Sequence, residues 1–182
     1  MTDETTELTL SKEATAAFEL ALRHAKMYAA STLVPVSYQG EGNVANVMIA
    51  VNMAKRIGCD PLQVMQSLHV VNGKPGWSSQ FLIACFNTCG RYAPISYRFN
   101  QDKTACRACS KILATGEEIE GTAVSIEMAK AEGWYQKKGS KWQTMPEQML
   151  RYRAAAFLIR ATAPELGLGM YTKSELEDIT NE

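Results

Sequence analysis

A two-residue turn signal constrains the fold of this chain more than any other feature of its sequence. Asn72-Gly73 lies between the apolar segment SLHVV at 67–71 and a short return segment around Trp77. Asn and Gly both tolerate positive φ, which the tight turns of β-hairpins require. Because only two residues join the segments, they must pair as antiparallel strands. The sequence therefore predicts a β-hairpin here.

Helix and strand patterns along the rest of the chain predict an α+β fold. Residues with helical spacing predict helices at 10–30, 43–58, 78–90, 125–133 and 144–164. Alternating segments predict a three-stranded antiparallel meander at 94–101, 104–113 and 117–125. Two capping-box patterns, Thr144-x-x-Glu147 and Thr172-x-x-Glu175, predict the starts of the long helix and of a short final helix. We expect the β-hairpin and the β-meander to pack with these helices.

The length of 182 residues suits one domain with a substantial core. We expect a single domain over 1–182. Within it we expect a helical N-terminal arm at 1–42, a core at 43–165 and a C-terminal helix at 166–182.

Composition favours a globular cytoplasmic protein. Apolar residues make up 46% of the chain, yet no apolar run approaches the roughly 18–20 residues of a membrane span. The beginning, MTDETTELTLSKE, is acidic and polar, unlike a signal peptide. Five cysteines, an odd number without secretory context, indicate reduced thiols. We therefore expect a cytoplasmic location and no membrane partner.

Charge is strongly patterned although the net charge is zero. Residues 130–160 contain seven bases and two acids, whereas 1–20 and 161–182 each contain five acids and one base. Patterned charge creates a local field that net charge does not reveal. The basic segment is therefore the first place to look for an anionic ligand.

The long helix carries arginines within an otherwise apolar sequence, MLRYRAAAFLIRATA at 149–163. Arg153, Phe157 and Arg160 follow i, i+4, i+7 spacing and share one face, while Arg151 leaves on another face, toward the sheet or a partner subunit. The preceding turn interleaves bases with aromatic residues: Trp134, Tyr135, Lys137, Lys138, Lys141 and Trp142. This composition is typical of single-strand nucleic-acid binding. The alternative is an ordinary solvated helix face and turn.

Two weaker patterns suggest other functions. Gly40-x-Gly-x-x-Ala45 has the spacing of a dinucleotide-binding loop, but Pro35 interrupts the strand that should precede it. The four cysteines Cys85, Cys89, Cys106 and Cys109 have nearly a zinc-site spacing. The first two fall on a helix, and the last two fall on opposite faces of a strand, so small buried side chains are the better interpretation.

Catalytic motifs are not evident in the sequence. His24 and His69 are the only histidines, and neither has an evident acidic or cysteine partner. No Ser-His-Asp, HExxH or P-loop pattern occurs. We therefore expect a protein that is not an enzyme and needs no metal or other cofactor.

Four stretches in order carry a family resemblance: AKRIGCDPLQ, LHVVNGKPGWSSQFLIACFNTCGRY, RFNQDKTACRACSKILATGE and TMPEQMLRYRAAAFLIRATAPELGLGMYTKSELEDI. Together they resemble the RecT/Red-beta single-strand annealing proteins of bacteriophages over roughly 43–180. The last stretch is the most specific, because a Pro-led basic helix is followed by a Gly-containing break and an acidic helix.

The resemblance implies a Rad52-like annealing core that works as a ring or helical filament. It implies ATP-independent binding of single-stranded DNA, annealing of complementary strands through a duplex intermediate, and a role in phage homologous recombination. It also implies a bacterial host or prophage origin. An exonuclease and a host single-strand-binding protein are the expected partners, although the chain is too short for the C-terminal module that recruits them in larger relatives.

The resemblance also assigns DNA-binding residues. It implies that Arg151, Arg153 and Arg160 line a DNA groove, with Lys74 of the hairpin as an additional contact. We add Lys137, Lys138, Lys141 and Trp142 from the basic turn. Glu147-Gln148 departs from relatives that have a base just after the proline. A phage adaptor or structural protein whose arginines bind a protein partner remains the alternative function, with a zinc- or nucleotide-binding protein behind it.

Overall fold

Two units make up the chain in the computed structural model, residues 1–66 and 67–182, of which residues 12–179 are described. The expected single domain, with an arm at 1–42, a core at 43–165 and a C-terminal helix at 166–182, stays a prediction. Predictions for 1–11 and 180–182 lie outside the described residues.

The first unit is built on a pair of helices, α1 (Lys12–Ala29) and α2 (Val44–Ile57), as predicted. They pack together through small side chains, including the buried Ala25, Ala29 and Ala50. Helix α2 ends where Gly58 adopts a φ of 71° and donates its N–H to the carbonyl of Ala54. Short 3₁₀ turns connect the pair, and α3 (Pro61–Ser67) follows.

The predicted β-hairpin is confirmed in the second unit. Strand β1 (Leu68–Val71) pairs antiparallel with β2 (Lys74–Trp77). Asn72 and Gly73 have φ angles of 48° and 77°, the left-handed values that favour these residue types. The two-residue turn therefore sets the register, with Val71 opposite Lys74.

The predicted meander forms with one difference. Strands β3 (Ser96–Phe99) and β4 (Ala105–Lys111) pair antiparallel, but the expected third strand is split into β5 (Glu118–Glu120) and β6 (Val124–Ser125). Gly121 lies at the split, where a Cβ would stand 3.0 Å from the Cβ of Leu158. The chain thus passes close under the long helix instead of continuing as one strand. Two antiparallel sheets among helices confirm the α+β class.

Shorter helices flank the two sheets. Helix α4 (Ser79–Thr88) is capped by the Ser78 side chain, and α5 (Ile126–Ala131) is capped by that of Ser125. Helix α6 (Lys141–Thr144) forms where only a turn was predicted. No helix within 12–179 combines the length and apolarity needed to cross a bilayer.

The long helix α7 (Pro146–Thr162) is the centre of the second unit. It packs against β4 and α4, and Leu150, Ala154 and Leu158 lie in the core. Pro146 occupies the first turn as predicted, but Thr144 does not cap the helix. That prediction is wrong because Thr144 is the last residue of α6, and the N-cap position falls on Met145.

The final helix α8 (Lys173–Ile179) packs against both hairpin strands. Its predicted capping box is confirmed. Glu175 accepts the N–H of Thr172 at 2.9 Å, and the Thr172 hydroxyl accepts the N–H of Glu175 at 3.3 Å. Both residues are buried, so the cap is part of the core as well as a helix start.

Gly121→Ala is expected to lower the free energy of unfolding by about 1–2 kcal/mol. The new Cβ would also lie 3.3 Å from the Cα and N of Leu158, and helix backbone cannot move aside alone. Gly42→Ala is the control, because its Cβ meets no described heavy atom within 4 Å. Urea unfolding measures the free energy of unfolding of the two variants. Equal values would mean that the chain at Gly121 and helix α7 can move apart without cost.

Candidate nucleic-acid interface

A cleft of about 800 Å³ in the second unit collects the lysines of the basic turn. Four parts of the chain form its walls: the hairpin tip, the turn before α7, α7 itself and α8. We call it the lysine cleft, and its lining residues are Val71, Asn72, Lys137, Lys138, Gly139, Lys141, Met149, Ser174, Glu177 and Asp178.

The turn that presents the lysines is held by local hydrogen bonds. Ser140 donates its hydroxyl to the Trp134 carbonyl at 2.7 Å and accepts the backbone N–H of Trp142 at 3.3 Å. Gly139 has a φ of 74°, a conformation that other residues rarely adopt. The lysines on either side of this turn therefore project from a defined backbone.

The three lysines differ in how they are held. Lys137 donates from Nζ to the backbone carbonyl of Glu177 at 2.7 Å, which ties the basic turn to α8. Lys138 and Lys141 are exposed. The cleft also contains Glu177, whose carboxylate lies 3.6 Å from the ammonium of Lys173. Its positive charge is therefore concentrated on the turn side, opposite α8.

Arg153 does not face this cleft as a free cation, although the sequence predicted a phosphate contact. Its side chain is only 2% exposed and pairs with Asp178. Its guanidinium carbon lies 3.9 Å from the ring centre of Trp134 and 5.6 Å from that of Trp142. A ligand at the surface cannot reach so deeply buried a side chain. The expected contact between Arg153 and a DNA phosphate therefore does not fit this structure.

Trp142 is likewise fully buried rather than available for stacking. Its indole N–H donates to Asp178 at 2.9 Å. Asp178 thus receives a hydrogen bond from Trp142 and the charge of Arg153 together. The expectation that Trp142 contacts DNA does not fit this geometry, since both its ring and its polar atom are used inside the fold.

Arg160 lies at the edge of the same buried group. It makes two hydrogen bonds of 2.6 Å to the two carboxylate oxygens of Glu175, whose side chain is 3% exposed. Arg153 and Arg160 do share a helix face, as predicted, but that face meets α8. We call this set the arginine–carboxylate network: Arg153, Arg160, Glu175 and Asp178.

Burial and pairing act on Glu175 in opposite directions. Burial raises its pKa, but the hydrogen bonds and charge of Arg160, with the Thr172 N–H and the charge of Arg153, outweigh burial and leave the pKa below its usual value. Burial lowers the pKa of Arg153, against the raising effect of both carboxylates. Asp178 differs, because burial raises its pKa against the lowering effects of Trp142 and Arg153. The depressed pKa of Glu175 means that its ionised form stabilises the network.

The remaining predicted residues lie in two places. Lys74 is exposed and pairs across the hairpin with Val71, which lines the lysine cleft. Arg151 leaves α7 toward the sheet, as predicted, with its guanidinium 5.2 Å from the ring centre of Phe99 and 3.9 Å from Glu147. The structure thus places Lys74 opposite a residue that lines the cleft, and it assigns Arg151 to a separate surface.

The two alternative motifs gain no support from the geometry. The glycine loop at 40–45 follows a 3₁₀ turn, Val36–Tyr38, rather than the strand of a dinucleotide-binding unit. Burial raises the pKa of the Cys106 thiol to about 11, so it is neutral at pH 7. Within the described part of the chain, no three His, Cys, Asp or Glu side chains cluster in a way that suits a metal ion.

The acidic partners of the arginines were missed at the level of sequence. Glu175 and Asp178 belong to the acidic segment 161–182, which follows the basic segment directly. The net charges of the two neighbouring segments have opposite signs. This pattern could have indicated the contact, because segments of opposite charge often pack together. The same reasoning would have placed Glu177 beside the basic turn.

Comparison with known proteins gives no match to a family model, to a curated protein or to a solved structure.

Glu175→Gln is expected to lower the free energy of unfolding at pH 7 by about 3 kcal/mol, because it removes the charge that pairs with Arg160 and lies 4.0 Å from the buried Arg153. The folded pKa of Glu175 is depressed. The stabilisation by ionised Glu175 is therefore fully present above the pKa of the unfolded chain, about 4.3. It is lost as the pH falls through the folded pKa. The variant should show a smaller acid-dependent loss of stability in urea unfolding from pH 7 to pH 3.

Glu177→Gln is the matched control on the same helix. Its carboxylate is exposed and its partner is the surface Lys173, so we expect a change below about 0.5 kcal/mol at pH 7. Equal stability of the two variants would contradict the importance of the buried pair.

Proposed function

We propose that this chain binds single-stranded DNA and anneals complementary strands without ATP, working as an oligomer in phage homologous recombination. The observation that carries the proposal is the lysine cleft. Residues of the basic turn and of a hairpin more than sixty positions away meet at one concave surface. Such a surface suits a polyanion better than a small neutral ligand.

The chemistry of annealing fits a cleft of this kind. Lysine ammonium groups bind phosphates without reading sequence, so they can hold a strand while its base edges stay free. Pairing with the second strand then supplies both specificity and most of the free energy. No covalent bond is formed or broken, so a phosphate-binding surface suffices for the reaction.

The arginines take a different role in this proposal from the one the resemblance implies. Arg153 holds α8 through Asp178, and α8 in turn supplies the carbonyl that anchors Lys137. Arg153 therefore supports the cleft without contacting DNA. The proposed phosphate contacts are Lys74, Lys137, Lys138 and Lys141, with Arg151 on a second surface.

The order of the four sequence blocks supports the proposed kinship with the RecT/Red-beta annealing proteins, and this kinship implies a Rad52-like core. Assembly into a ring or filament would repeat the lysine cleft along a strand and multiply its contacts. An exonuclease and a host single-strand-binding protein are proposed partners on the same grounds, in the cytoplasm of a bacterial host.

One feature favours a second candidate, a phage adaptor that binds a protein. The cleft carries Glu177 and Asp178 opposite the lysines, together with the apolar Met149. A peptide with both charge signs would match that lining. Binding to such a partner would not depend on oligonucleotides, which separates the two candidates.

Replacing Lys138 and Lys141 together by Ala is expected to weaken binding to a labelled single strand and to flatten its salt dependence. Each lost phosphate contact removes about 0.7 from the slope of log affinity against log salt. Lys111→Ala is the control, since this exposed lysine ends β4 opposite Glu118. Fluorescence anisotropy over a salt series measures the affinity and the salt slope of each variant. An unchanged slope in the double lysine variant would show that the lysine cleft does not bind DNA.

The unmodified protein should also speed the annealing of two complementary dye-labelled oligonucleotides without ATP. The double lysine variant should lose most of that acceleration, while Lys111→Ala keeps it. A folded protein that neither binds single strands nor accelerates annealing would overturn the proposed function and leave the adaptor candidate.

A further inference from the structure

Tyr171 stands out among the aromatic residues of the second unit. It is 47% exposed, whereas the other aromatic side chains described there are buried or half-buried. All three tryptophans lie inside the fold. If bases stack on this unit, the accessible ring is therefore Tyr171.

The backbone of Tyr171 is fixed on the hairpin. Its carbonyl accepts the N–H of Trp77 at 3.0 Å, and the next residue, Thr172, forms a parallel bridge with Trp77. Gly76 makes this approach possible, because a Cβ there would lie 3.0 Å from the Tyr171 oxygen. An exposed ring on a fixed backbone loses little conformational entropy when a ligand stacks on it.

The ring is also supported from one side. The guanidinium carbon of Arg160 lies 4.9 Å from the ring centre of Tyr171. Arg160 is itself held by its two hydrogen bonds to the buried Glu175. The cation covers one part of the ring, which leaves the exposed part free for a flat ligand.

The ring lies close to the lysine cleft along the chain. Ser174, which lines the cleft, is three residues after Tyr171, a span of at most about 10 Å. Between them, Lys173 places its ammonium 3.6 Å from Glu177, another lining residue. Even stacked DNA advances about 3.4 Å per nucleotide, so a few nucleotides bridge this distance.

We propose that Tyr171 is a stacking platform for one base of the strand whose phosphates lie in the lysine cleft. The inference rests on the proposed function and adds a contact to a base, whereas the lysines contact phosphates. Stacking on an aromatic ring tolerates any base, which is what annealing of arbitrary sequences requires.

The test compares Tyr171→Ala and Tyr171→Phe on two ligands of equal length and charge, a thymidine oligonucleotide and an abasic oligonucleotide. Tyr171→Ala should bind the thymidine strand about tenfold more weakly, with an unchanged salt slope and unchanged abasic binding. Tyr171→Phe should bind both as the unmodified protein does. Leu113→Ala, which removes another exposed apolar side chain, is the control and should change neither.

The other outcomes are distinct. Full binding of both ligands by Tyr171→Ala would overturn the platform and leave the proposed function intact. An equal loss on both ligands would also overturn it, because the ring would then act through the fold or the phosphates. If the unmodified protein binds neither ligand, the proposed function itself fails.

Discussion

The contact between the middle of α7 and the final helix α8 is the interaction on which the second unit depends. Arg153 lies against a contacting pair of tryptophan rings with its charge matched by Asp178, and Arg160 is matched by Glu175. A buried cation without a partner costs several kcal/mol, so α7 is compatible with the core only when α8 is in place. The hairpin packs against α8, and Lys137 of the basic turn donates to the Glu177 carbonyl on the same helix.

This arrangement gives the basic residues of one segment two separate functions. Arg153 and Arg160, with planar groups that can make paired hydrogen bonds, are used inside the fold, whereas Arg151 lies on a separate surface. Lysines, with flexible and strongly hydrated ammonium groups, remain at the surface where a polyanion can reach them. The division follows from chemistry, since a guanidinium, which is planar and weakly hydrated, tolerates burial against aromatic rings better than an ammonium does.

Much of the fold could be predicted from local signals. The Asn72-Gly73 hairpin and the capping box at Thr172 were predicted correctly, because each depends on a few neighbouring residues. The split of the third strand at Gly121 was not predicted, since it depends on Leu158 in a distant helix. For the site, periodicity showed that Arg153 and Arg160 share a face but not what that face contacts. Only the tertiary structure distinguishes a ligand from an internal carboxylate.

The hairpin contacts residues that lie far from it in the sequence, and this has a consequence for the synthesis of the chain. The indole of Trp77 donates to the carbonyl of Gly167, 90 positions later, and Gly76 lies under Leu176. On the ribosome the hairpin emerges long before either partner exists, so its inner face stays uncovered while α7 is being made. Such distant pairing slows folding and extends the time for which apolar surface is exposed. The second unit is thus completed only once α8 has been made, the same short helix that neutralises the arginines.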